Sequence, residues 1–466
     1  MRVRVIARKE PPRTRRSRAS IAADAIAALL GFGVSFSVHL IGNLQVSEVL
    51  LLFLLPFFLL TRGKRILRRD LRPVFLLMLF WLIGQILSDI YRHTAFQDWT
   101  RGDALIIFFG INLVGFVILL ARNVRRQVIF VAAFSIGSLV QARFIPPLGE
   151  PDWKFGYSTG TITLVVLASC YFYGRRHFVA AGLLLAAIAV VNLLLNFRSP
   201  VLFLLITIAL LVPVIPEHVG RVRLLPAVGG VSRIFVLAAL ALIAGAGANA
   251  LVHAVTRAGL LGAYAEEKNQ SEFSSGRNLL LSGRPEIFVS SRAVLDSPIL
   301  GHGSWAKDYK YFEMDYDIEN QYLSGEDLDT LEAESEALIP SHSYLMGAWV
   351  WAGIAGAAFW FYILWVTFKS IVWNALLQPH HAPLYMWVLI GSFWNILFSP
   401  FGNAARPFEA LAILFALNLL ESAPRTLRPS RRPGLTTWKR QPYRTLGSSR
   451  SRISPTSRSK LVLNED

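Results

Sequence analysis

Apolar runs of about 17 to 25 residues recur along this chain, and no other feature restricts its fold as strongly. At 1.5 Å of rise per residue, a helix of that length crosses the roughly 30 Å of hydrocarbon in a bilayer. Of 466 residues, 54% are hydrophobic and 17% charged. That is more apolar surface than a soluble core of this size can bury, so the excess faces lipid.

Twelve apolar runs can be placed, several of them shorter than this, from Ile21–Ile41 to Phe408–Leu420, with the ninth at Ile234–Val255 and the tenth at His342–Phe368. They predict an all-α polytopic membrane protein of about 12 transmembrane helices. The expected divisions are a basic N-terminus over 1–20, helices 1 to 9 over 21–256, a loop domain over 257–341, helices 10 to 12 over 342–420, and a disordered basic tail over 421–466. With twelve spans and residues 1–20 inside, 34 of the 47 Lys and Arg residues fall on one side. The positive-inside rule makes that side cytoplasmic, so both termini are expected there, and the net charge of +17 needs no nucleic acid. Cys170 is the single cysteine and can form no intrachain disulfide.

Residues 257–341 are too many for a connector and carry 16 acidic against 7 basic residues, the reverse of the rest of the chain. A folded lobe on the outer side is expected there. Within it, Pro285 is pre-organised to open a helix whose apolar face would hold Ile287, Phe288, Val294 and Leu295. Ser297-Pro298 and Gly301-His302-Gly303 should stop it. Arg284 would then stand at a helix start, where an anion is favoured. Arg198 is the only charge in the short turn Asn196–Pro200 between spans seven and eight. By default it is a snorkelling anchor, although boundary charges are costly enough to suggest function. His342 lies where the acidic loop re-enters the membrane, and Gly353-Ile354-Ala355-Gly356 would let the tenth span pack closely on a neighbour.

Taken in order, these features are a short-turn Arg, Gly-Arg-x-Glu-x-Phe, Ser-Pro-Ile-Leu-Gly-x-Gly, and His-Ser-x-Leu followed by Gly-Ile-x-Gly. The set resembles the O-antigen ligase and polymerase family of WaaL- and Wzy-type enzymes, which have a GT-C-like membrane fold. The likeness is specific from Arg284 to Gly356 and rests on topology elsewhere. It implies a glycosyltransferase of the bacterial inner membrane, with one large periplasmic loop domain. The implied donor is an undecaprenyl-diphosphate-linked glycan, with Arg198 and Arg284 on the diphosphate and His342 in catalysis. The acceptor would be a second glycan in a polymerase or lipid A core in a ligase, and other polysaccharide-assembly proteins are natural partners. The acidic loop tilts the choice toward polymerase.

That chemistry suits these residue types. Breaking a bond to diphosphate puts negative charge on the leaving group, which guanidinium groups can meet with paired hydrogen bonds. An imidazole can take or orient the proton of the attacking hydroxyl, with Glu334 and Glu336 next in line as bases. One displacement would invert the anomeric centre without metal or cofactor. Asp315-Tyr316-Asp317 has the spacing of a metal-binding Asp-x-Asp, but in so acidic a loop that spacing arises easily. A transporter such as a lipid-linked oligosaccharide flippase is the competing class. It would need ionisable groups deep in the spans, for which Asp24 and His39 are the visible candidates.

Overall fold

The computed structural model describes residues 17–40, 42–146, 152–195, 197–211, 286–320 and 337–427, with isolated positions 239 and 247. Arg284, Glu334, Glu336, the ninth apolar run and most of the basic tail lie outside the described residues.

The described residues are helical almost throughout. In order come α1 (Arg18–Gly33), a small hairpin of β1 (Ser37–Leu40) and β2 (Gly42–Gln45), α2 (Val46–Arg62), α3 (Arg72–Arg92), α4 (Phe96–Leu120) and α5 (Val124–Phe144). A π-helical turn at Asp152–Tyr157 leads into α6 (Ser158–Gly174), followed by α7 (Phe178–Leu194) and α8 (Arg198–Leu211). After the undescribed stretch come α9 (Glu286–Asp296), α10 (Tyr309–Asn320), α11 (Tyr344–Ala352), α12 (Ile354–Leu377), α13 (Ala382–Phe398) and α14 (Ala405–Leu427).

Six stretches among the described residues are long and apolar enough to cross a membrane: 46–65, 72–92, 96–120, 124–144, 152–174 and 354–377. Three shorter apolar helices, α7, α8 and α13, accompany them. Large apolar side chains point away from the protein, among them Leu60 at 88% exposure and Val179 at 77%. Continuous apolar surface of this kind suits lipid, not water, so the fold is that of an all-α, multi-pass membrane protein.

Three expectations need correction. The first span ends at Gly33, because the chain turns into the hairpin; His39 sits in β1, outside any helix. The eighth helix begins at Arg198, so that residue occupies the first helical turn with Pro200. The tenth span is broken at Gly353, which adopts φ 59° and separates α11 from α12.

That break has a physical cause on the page. A Cβ on Gly353 would lie 1.9 Å from the Ile299 carbonyl oxygen, so no other residue fits. The groups freed at the break are satisfied by the Ser297–Gly303 segment. His302 N–H donates to Val350 O (2.7 Å), Gly303 N–H to Trp351 O (3.1 Å), and Ile354 N–H to Ile299 O (3.1 Å). A break in an apolar helix survives only when the freed backbone groups find partners within the protein.

The segment is also fastened to α3. Asp89 accepts from Ser304 N (2.6 Å) and Ser304 Oγ (2.7 Å), while Arg92 donates to Gly301 O (3.0 Å) and Ser297 Oγ (2.7 Å). The apolar centre of the lobe combines Val289, Ala293, Val294, Tyr311 and Ile339 with Val350 of α11, so lobe and broken helix share one core. The buried face of α9 is Val289, Ala293 and Val294, whereas Phe288 and Leu295 are exposed.

Opposite this end, arginines tie the helices together. Arg65 donates to Ile118 O (2.6 Å), and Arg68 and Arg122 both bond Glu421 of α14. Arg126 (3.1 Å) and Arg125 (3.2 Å) flank the buried Asp24 of α1.

Candidate functional site

Ser343 fixes the start of α11 and therefore the residue before it. Its Oγ caps the helix by accepting from Met346 N (3.1 Å) and donates to Ile396 O of α13 (2.8 Å). His342 thus projects from a pinned turn, its side chain 46% exposed. Its Nδ1 lies 3.1 Å from Oε1 of Glu286, the first residue of α9, whose side chain is 17% exposed. With Nδ1 engaged by the carboxylate, Nε2 is the ring nitrogen left to accept a proton.

Both residues line a cavity of about 770 Å³. Its floor is aromatic: Tyr344 and Phe401 are 5.0 Å apart between ring centroids, and Trp360 packs 5.1 Å from Tyr344 and 5.0 Å from Phe401. Trp81 of α3 extends this cluster, stacking 5.3 Å from Phe359. Phe312, Asp315 and Tyr316 of α10 face the same space, as do Trp305, Trp351 and Arg101. Flat apolar rings with a few polar groups between them suit the faces and hydroxyls of sugars.

Trp305 adopts φ 51°, unusual for a bulky residue. It is held between Trp351 (5.5 Å) and the guanidinium of Arg101, whose Cζ is 5.8 Å from the ring centroid. Strained backbone of this kind costs on the order of 1 to 3 kcal/mol and persists where neighbours enforce it.

Of the residues singled out in the sequence, the structure brings His342 into the cavity. Arg198 is half-buried at the start of α8 and is not among the lining residues. Asp315 and Asp317 lie on one helix two residues apart and so point away from each other; Asp315 lines the cavity and Asp317 is exposed. They do not form a paired-carboxylate metal site.

Two lining residues were missed. Glu286 is present in the Gly-Arg-x-Glu-x-Phe motif, but its contact with His342 spans 56 positions and no local spacing signals it. Arg101 follows Trp99 at the edge of a span, where a flanking charge is ordinary. Buried charge was also missed. Glu48 of α2 is fully buried, accepting from Arg406 Nε (2.7 Å) and Nη2 (2.6 Å), Asn112 Nδ2 (2.7 Å) and the Gln45 N–H (2.9 Å). Glu409 is fully buried on α14 and accepts from Ser392 Oγ (2.5 Å).

Comparison with protein-family models and with curated protein sequences returns no match.

Proposed function

We propose that this chain is a membrane glycosyltransferase that takes an oligosaccharide from undecaprenyl diphosphate at the periplasmic face of a bacterial inner membrane and passes it to a second glycan. The observation that carries the reading is the His342–Glu286 pair in an aromatic cavity at one end of the helices. Glu286 holds Nδ1, so Nε2 takes the proton as the acceptor hydroxyl attacks the anomeric carbon. The bond from that carbon to the diphosphate oxygen breaks, the electron pair stays on undecaprenyl diphosphate, and the anomeric centre inverts.

In this reading Arg284 meets the diphosphate. It stands two residues before Glu286 in the chain, a span of at most about 7 Å between Cα atoms, and Arg198 at the start of α8 is the second arginine. Twelve crossings follow if α1 to α8, the apolar run 234–255 and α12 to α14 each span the bilayer. Both termini are then cytoplasmic and the 257–341 loop periplasmic. The end opposite the cavity, rich in Arg65, Arg68, Arg122 and Arg126, agrees with that orientation.

A carrier of lipid-linked oligosaccharide is the second reading, favoured by the buried Glu48, Arg406 and Glu409. Purified protein given undecaprenyl-diphosphate-linked oligosaccharide separates the two. A transferase lengthens the glycan and releases undecaprenyl diphosphate; a carrier leaves the donor chemically unchanged, and that result would overturn the proposal.

A further inference from the structure

We propose that Arg101 is an oxyanion-binding residue of the cavity, reading a phosphate or carboxylate on the substrate. The inference rests on the same cavity being the substrate site.

Arg101 lines the cavity that holds His342. Its guanidinium makes no hydrogen bond to the described residues. Its ion pair to Asp98 Oδ1 is 3.8 Å long, and the other oxygen of Asp98 is 3.6 Å from Lys307 Nζ. The guanidinium packs over the Trp305 ring, its Cζ 5.8 Å from the centroid, a contact that spends none of its N–H donors. The indole is itself immobilised against Trp351. Behind it, α4 approaches the lobe so closely that a Cβ on Gly102 would lie 2.0 Å from Ser304 Oγ, and Ser304 is bonded to Asp89. A guanidinium resting on an indole at a cavity wall, with no hydrogen bond spent among the described residues, can take a planar or tetrahedral oxyanion through two bonds.

The oxyanion has two possible sources in a lipid-linked glycan, the carrier's diphosphate or an acidic sugar. Titration of the full-length protein in nanodiscs distinguishes them, using farnesyl diphosphate, uncharged farnesol and trigalacturonate as probes. Arg101→Met keeps the packing on Trp305 and removes the charge; Arg101→Lys keeps the charge. Arg101→Met is expected to weaken one anionic probe by about tenfold or more, the cost of losing a charge-assisted bond, with farnesol unchanged and Arg101→Lys recovering part of the loss. Weakening of farnesyl diphosphate assigns the diphosphate, and weakening of trigalacturonate assigns a sugar carboxylate. If the wild-type protein binds neither anion, or Arg101→Met binds both equally well, the proposal is overturned. Should wild-type protein bind an anion through Arg101 yet never lengthen a glycan, the transferase reading fails and the oxyanion site stands.

Discussion

The two ends of the helices use arginine in opposite ways. At the end bearing Asp24, Arg68, Arg122 and Glu421, guanidinium groups are spent on carboxylates and backbone carbonyls of neighbouring helices. At the other end Arg101 rests on an indole and donates no hydrogen bond to the described residues, and the His342–Glu286 pair opens into a cavity. The first arrangement fixes helix register. The second leaves a histidine–carboxylate pair and a guanidinium facing a cavity. A charge is informative about function according to what it is bonded to, not by its depth alone.

Substitutions at each end should therefore fail differently. The largest effect is expected at Gly353, where a side chain would strike Ile299 O in a left-handed backbone conformation. Gly353→Val should abolish folded protein, read as loss of the monodisperse peak in detergent, while a monodisperse variant would show that the break does not hold the cavity together. Asp24→Ala should cost about 3 kcal/mol by stranding the buried Arg126. Thermal unfolding measures it, and turnover per folded molecule should stay at the wild-type level; a catalytic defect would erase the contrast between the ends. Glu286→Gln should do the reverse, keeping the melting temperature and lowering kcat by about 10- to 100-fold through a misoriented imidazole.

The smallest effect concerns acid stability of the lobe. Hydrogen bonds from Lys310 (2.5 Å) and Tyr311 (2.7 Å) hold the Asp296 carboxyl below the usual carboxylate range, joining the end of α9 to the start of α10. Its stabilisation is present above the unfolded value of about 3.9 and is lost as pH falls through the lower folded value. Asp296→Asn should flatten the acid limb of lobe unfolding followed by hydrogen exchange, and an unchanged limb would show that this contact is idle.

Much of the helical layout was legible because lipid demands long apolar runs. Residues 178–194 and 382–398 fall within two residues of their expected bounds. The break at Gly353 was not legible, since Tyr344–Phe368 reads as one apolar stretch and hydropathy carries no record of a left-handed residue. Its cause is the Ser297–Gly303 segment, some 50 positions away. The hairpin after Gly33 was hidden for a similar reason: Ser37–Leu40 falls within the first apolar run although its backbone is extended. His342, which lines the cavity, stood out in the sequence because it borders a span beside a motif. Glu286 and Arg101 became visible only when α4, α9 and α11 were brought around one cavity. Buried Glu48 escaped notice because its partner Arg406 lies 358 positions away.

His342→Gln offers the most direct test of the account. Gln keeps the size and polarity of the side chain but cannot take a proton near neutrality. Turnover of undecaprenyl-diphosphate-linked oligosaccharide and affinity for that donor should be measured on the same folded preparation. The predicted result is a fall in kcat of about 10² to 10⁴ with donor affinity unchanged. Turnover above a third of the wild-type rate would contradict the account and remove His342 from the mechanism.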